Sequence, residues 1–158
     1  MQVNRKKTRK FLFQKLYAMT FAEYNEELFT KSFYENTFRF DIDTEYSIEM
    51  IDVIKKHEGF FIEVLKKYSP RFDIKTMNPM YILPVFLCLA EMFFLKEEIP
   101  AKISVNEAIE VAKNYGDDSA KKIVNGVLNK VLTDVEELTE LAKTDFSNTT
   151  LSVFKKIS

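Results

Sequence analysis

The sequence predicts an all-α fold, and three observations predict it. The 158 residues include only three Gly and four Pro, too few for a turn-rich β architecture. Apolar residues recur at i, i+3, i+4 and i+7 along most of the chain. Hydrophobic residues make up 46% of the total, with fifteen Phe and seven Tyr, which is ample for a core in one domain of this length.

Seven helices are expected, in order. The first covers 8–21, where Leu12, Leu16 and Met19 form one stripe and Phe13, Tyr17 and Thr20 extend it. The second covers 23–37, with Leu28, Phe29, Ser32 and Phe33 as its face. Asp41-Ile42-Asp43-Thr44 reads as a turn. A long amphipathic helix follows from 46 to 68, built on Ile48, Ile51, Ile54, Phe61, Ile62 and Leu65, and Ser69-Pro70 ends it. Within it Gly59 implies a close neighbour or a bend. Asn78-Pro79 supplies an N-cap and first residue for a helix reaching 96, with Pro84 inside. Ser104-Val105-Asn106-Glu107 fits a capping box ahead of Val105, Ala108, Ile109 and Ala112, and Gly116 sits where a C-cap glycine belongs. Asp117 or Asp118 then caps a helix with Val124, Val127, Leu128 and Val131 on one face. Gly126 inside it is expected to mark close packing by another helix. A short helix over 134–143 precedes a tail, 144–158, which reads equally well as a docked helix or as disorder.

Charge is distributed unevenly. Residues 1–16 carry Arg5, Lys6, Lys7, Arg9, Lys10 and Lys15 and no acid, a net charge of +6. The rest of the chain has 17 basic and 24 acidic residues, a net charge of −7. A cationic arm on an anionic body points to a polyanionic partner. Continuing the first helix backwards puts Arg5 and Arg9 on the side of Leu12 and Leu16. Two guanidinium groups cannot enter a core unpaired, so the arm is expected to project past the bundle edge or to stay frayed until a partner orders it.

Other chemistries find little support. Cys88, the single cysteine, lies in the apolar run 82–95 and reads as a buried small hydrophobe. His57, the single histidine, sits in Lys55-Lys56-His57-Glu58 and reads as solvated; the two residues make no metal site. With three glycines, phosphate-cradling loops and nucleophile elbows are nearly excluded. No signal-peptide pattern is visible. The apolar run 80–95 is short for a bilayer span and is interrupted by Pro84 and Glu91. The chain is therefore expected to be soluble and cytoplasmic, with no cofactor and no metal.

Three segments carry a resemblance. The first is Arg5-Lys6-Lys7-Thr8-Arg9-Lys10-Phe11-Leu12-Phe13-Gln14-Lys15-Leu16-Tyr17, a basic run followed by Q-x-L-Y. The second is Ile99-Pro100 followed by Val105-Asn106-Glu107-Ala108-Ile109-Glu110-Val111-Ala112-Lys113-Asn114-Tyr115-Gly116. The third is Lys122-Ile123-Val124-Asn125-Gly126-Val127-Leu128-Asn129-Lys130. In order and separation they resemble the NusB family of bacterial transcription antitermination factors, over about 4–135. The resemblance implies a helical bundle of two packed three-helix subdomains plus a seventh helix, forming a single RNA-binding domain over 1–143 with the arm at 1–16. It also implies a factor without catalysis that binds boxA-type single-stranded ribosomal RNA leader transcripts together with the ribosomal protein NusE, and through them helps RNA polymerase resist termination.

By the same resemblance the RNA-binding arm falls on Arg5, Lys6, Lys7, Arg9 and Lys10. Lys121 and Lys122 are candidates for a second RNA contact. Glu107 and Gly126 are explained by capping and packing, and Tyr17 reads as core. The chain departs from the family in several places. Its arm is lysine-heavy, Thr8 replaces alanine, and the segment 86–92 lacks the family's arginine. One acid is absent at 118–120, Asn129 replaces aspartate, and the tail is longer. Lysine binds phosphate as a point charge without arginine's planar fork. The alternative reading is a helical protein-interaction module of the same fold that does not bind RNA specifically. NusB-like domains also precede ribosomal RNA cytosine methyltransferases, but no cofactor-binding α/β domain follows here. A membrane-surface role for the short arm is disfavoured, and a homodimer that sequesters the arm is a further hypothesis.

Overall fold

The computed structural model describes residues 4–36, 42–146 and 151–154, and the side chains within them except those of 32–36. Among these residues the elements are seven helices: α1 Arg5–Ala18, α2 Glu26–Asn36, α3 Thr44–Tyr68, α4 Pro79–Phe93, α5 Ala101–Tyr115, α6 Asp118–Thr133 and α7 Val135–Leu141. No strand occurs among the described residues. The all-α expectation and the order of elements hold. Ser32 and Phe33, expected on the face of α2, and Asp41 of the expected turn lie outside the described side chains or residues.

The fold is organised around α4. Its run from Ile82 to Glu91 is buried on every side, as a helix apolar all round must be. Against it pack α3, α5, α6 and α1; α5 and α6 also pack on each other, and α7 docks on α6. Asn78 caps α4 by accepting the Met80 N–H at 2.9 Å, with Pro79 at the first helical position. Pro84 is accommodated within the continuous helix. Cys88 is buried, as expected, with its Sγ 3.5 Å from Met92 Sδ. The core fills with Phe13, Phe60, Phe61 and Phe86, all below 2% exposure. No described helix is long and apolar enough to cross a membrane.

Several local expectations are corrected. The proposed capping box does not form. α5 starts at Ala101 behind Pro100, so Ser104 and Glu107 lie inside the helix and serve another purpose. Asp117 does cap α6, accepting the Ala120 N–H at 2.8 Å. Gly116 has an extended backbone (φ −107°, ψ −175°), and the need for glycine there is steric. A Cβ at Gly116 would lie 2.6 Å from Ala120 Cβ and 2.9 Å from the Ala112 carbonyl oxygen. Gly126 shows the opposite: a Cβ there meets nothing within 4 Å, so among the described residues no helix packs against it. Gly59 is buried in an unbroken α3. His57 is not solvated but half-buried, stacked on Phe94 with centroids 3.7 Å apart.

The described part of the tail is docked but not helical. Glu58, buried in the middle of α3, accepts from Ser152 Oγ at 2.7 Å and from the Val153 N–H at 2.8 Å. Val153 is buried, and Phe154 approaches Phe86.

Candidate nucleic-acid interface

The basic arm resolves into two faces of one helix. α1 begins at Arg5, with Asn4 as N-cap accepting the Lys7 N–H at 2.9 Å, so the arm is neither projecting nor frayed from that point on. Helical spacing places Arg5 and Arg9 on the inward side with Leu12 and Leu16. The structure resolves the conflict this creates by bringing the body's carboxylates to the arginines.

Arg9 enters the bundle, its side chain 8% exposed. Its Nε donates to Glu91 Oε2 at 2.7 Å and its Nη2 to Glu91 Oε1 at 3.1 Å, a two-pronged buried pair. Its Nη1 stands 3.8 Å from Glu107 Oε2. Glu91 also accepts from the Tyr46 hydroxyl and from Ser104 Oγ, the latter at 2.9 Å. One carboxylate thus joins α1, α3, α4 and α5. Of the would-be capping pair, Ser104 donates to this carboxylate and Glu107 stands beside Arg9. Burial works against the charged Arg9 guanidinium, but the hydrogen bonds and charge of Glu91, aided by Tyr46 and Glu107, outweigh it and leave the pKa raised. Burial, reinforced by the Glu91 charge, pushes the Tyr46 phenol well up, so it stays a donor.

Arg5 lies one turn earlier and nearer the surface. Its Nε and Nη2 donate to Asp43 Oδ2 at 3.2 and 2.8 Å. Its Nη1 and Nη2 donate to Glu97 Oε2 and Oε1 at 3.3 and 2.9 Å. The Tyr46 ring lies below, 4.2 Å from the guanidinium carbon. Asp43 is desolvated by burial, which opposes ionisation. The Arg5 hydrogen bonds and the Tyr46 N–H outweigh this and hold its carboxyl below the ordinary aspartate range. Thr8, where the family pattern has alanine, is fully buried; its Oγ1 donates to the Asn4 carbonyl oxygen at 2.7 Å and accepts the Asp43 N–H at 3.0 Å.

The outer face of α1 carries the lysines. Lys6 and Lys7 are exposed and Lys10 is half-buried. Lys6 and Lys10, four residues apart, share one side and form no ion pair among the described residues. The same line continues to Gln14, whose Nε2 donates to the Tyr115 hydroxyl at 2.9 Å, while Phe13 stacks on Tyr115 at 4.9 Å. Tyr115 ends α5, and Lys121 and Lys122 are exposed near the start of the next helix, α6. Lys15, the last cation of the arm, pairs with Glu26 at 2.6 Å and so ties α1 to α2. Tyr17 packs between Phe13 and Phe21, in keeping with its reading as core.

The NusB family profile matches residues 6–133, four-fifths of the chain, including α1 from Lys6 and all of α3 to α6. The chain belongs to the NusB family. Similar relatives include the transcription antitermination protein NusB of Dehalococcoides mccartyi, 29% identical over 132 residues, which are 83% of this chain and 91% of that protein. The NusB of Clostridium botulinum strain Hall is 32% identical over 108 residues, 68% of this chain and 75% of its own. Among solved structures, T. maritima NusB superposes with a TM-score of 0.71 at 24% identity over 89% of this chain and 99% of that one, which shows the shared fold. A crystal structure of the antitermination factors NusB and NusE in complex with dsRNA matches with a TM-score of 0.65 at 26% identity, covering 81% of this chain and 95% of that chain.

Sequence reasoning did not find the carboxylates that hold this NusB-family arm. Two signals pointed to them. One was the pair of arginines sharing a helix side with leucines. The other was Glu91, an acid in an otherwise apolar run.

Proposed function

We propose that this protein is a cytoplasmic transcription antitermination factor without catalytic activity. It binds boxA-type single-stranded ribosomal RNA leader transcripts together with the ribosomal protein NusE, and acts on RNA polymerase through that assembly. The carrying observation is the two-faced α1. Its inner arginines are locked to Glu91, Asp43 and Glu97, while its outer lysines stand along one ordered helix face. Likeness to the NusB–NusE complex with RNA supports both partners.

In this reading the domain covers 1–143 and 144–158 is an appended tail. Lys6, Lys7 and Lys10 contact backbone phosphates, with Arg5 at the rim. Arg9 positions the helix. Lys121 and Lys122 extend the track on α6. Ordering the lysines in advance lowers the entropy cost of binding. Phosphates supply most of the affinity, and splayed bases add stacking and edge contacts. Charge reversal at Lys6 and Lys10 is expected to weaken boxA RNA binding at least tenfold without loss of helicity by circular dichroism; unchanged binding would reject the role of this face.

One observation favours a second reading. Both arm arginines are engaged within the chain, which suits a protein-interaction module that has lost RNA specificity. Filter binding of boxA and scrambled RNA with NusE present separates the two. A clear boxA preference supports the antitermination factor, and equal affinity supports the module.

A further inference from the structure

The surroundings of Arg5 are asymmetric. Asp43 is held from several directions: its Oδ1 accepts the Tyr46 N–H at 3.2 Å, its own N–H donates to Thr8 Oγ1, and its side chain is 19% exposed. The Tyr46 ring covers one face of the guanidinium. Glu97 is different. It lies in the connector between α4 and α5, its side chain is 56% exposed, and its only partner among the described residues is Arg5. Its two oxygens meet the two terminal nitrogens of the fork at 2.9 and 3.3 Å. That is the parallel, two-pronged geometry in which a guanidinium also takes two oxygens of a phosphate.

We propose that Glu97 occupies the place of an RNA backbone phosphate on Arg5. The inference rests on the RNA-binding reading of α1 and adds a residue that controls it. The Arg5 fork is already built: it lies over the Tyr46 ring, is fixed on one edge by Asp43, and along its other edge meets only the exposed Glu97 among the described residues. A transcript phosphodiester displaces the Glu97 carboxylate and leaves the rest of the site in place. Because Glu97 is exposed and singly held, the exchange is easy. Because it is anionic, it discourages weak or poorly placed polyanions. Asp43 cannot be exchanged in this way, since it also caps α3.

The test is a fluorescence-anisotropy titration of boxA RNA with the full chain and NusE, at fixed salt. Wild type, Glu97→Gln, Glu98→Gln, Arg5→Ala and the double variant Arg5→Ala/Glu97→Gln are compared. Glu97→Gln is expected to tighten binding about twofold to fivefold, the scale of one exposed ion pair. Glu98→Gln, which removes the same charge one residue away, is expected to change it less. In the Arg5→Ala background, Glu97→Gln should have no effect. The assignment is overturned if Glu97→Gln binds like wild type, if Glu98→Gln matches it, or if its gain persists without Arg5. These outcomes are distinct from failure of the underlying reading, in which wild type shows no boxA affinity at all with NusE present.

Discussion

Replacing Arg9 by alanine is the sharpest single perturbation of this structure. The substitution removes both guanidinium bonds from Glu91, whose side chain is 2% exposed in the intact protein, and leaves Tyr46 and Ser104 as its donors among the described residues. Removing one partner of a buried ion pair costs about 3–5 kcal/mol, because the remaining charge is stranded. Domains of this kind are stable by about 5–15 kcal/mol, so the loss is a large fraction of the whole. With a urea m-value of about 2 kcal/mol/M, the unfolding midpoint should fall by about 1.5–2.5 M at unchanged slope. Replacing the pair by neutral residues, Arg9→Met with Glu91→Gln, should recover part of the loss, since no buried charge remains and the amide oxygen still accepts from Tyr46 or Ser104. Urea denaturation followed by circular dichroism measures all of these. A shift below about 0.5 M for Arg9→Ala, or a double variant no better than the single, would refute the view that this pair is buried and mutually compensating.

Other outcomes follow from the same geometry. Gly126→Ala should stabilise by up to about 1 kcal/mol, as an exposed helix-interior glycine with open space around it. Gly116→Ala should destabilise by about 1–3 kcal/mol, because its Cβ would overlap Ala120 and the Ala112 carbonyl. Thermal melts of the two variants check the opposite signs. Glu58→Ala should cost about 1–3 kcal/mol by orphaning the Val153 N–H and freeing the tail, and should raise protease cleavage near 151–154. The Asp43 carboxyl is held below its unfolded value, so its contribution is full above the ordinary aspartate range and disappears as pH falls through the lowered folded value. Asp43→Asn should therefore lower stability at neutral pH and flatten its decline in acid, as read by urea midpoints across pH.

The helices were legible in the sequence because their apolar spacing and caps are local properties. Asn78-Pro79 and Asp117 do what their positions announce. The site was only partly legible. Charge asymmetry located α1, but Glu91, the buried partner of Arg9, lies 82 residues away, and it is held in turn by Tyr46 and Ser104 from two other helices, so no local rule joins them. Ser104 and Glu107 misled because a capping box and two helix-interior polar residues share one spacing; the start of α5 at Ala101 decides between them. Gly126 misled for a related reason. A helix-interior glycine signals a neighbour only when one is present, and among the described residues none is. His57 looked solvated because its sequence neighbours are charged, while Phe94, which stacks on it, comes from the end of α4.

The salt dependence of boxA RNA binding in the presence of NusE tests the central claim most directly. If about four cationic groups of the α1 face meet phosphates of a single strand, log K should fall with log salt with a slope of about −3, at about −0.7 per contact. Lys6→Ala with Lys10→Ala should bring the slope to about −1.5 and weaken binding while leaving the urea midpoint in place. A wild-type slope near zero, or a double variant whose slope matches wild type, would contradict the account.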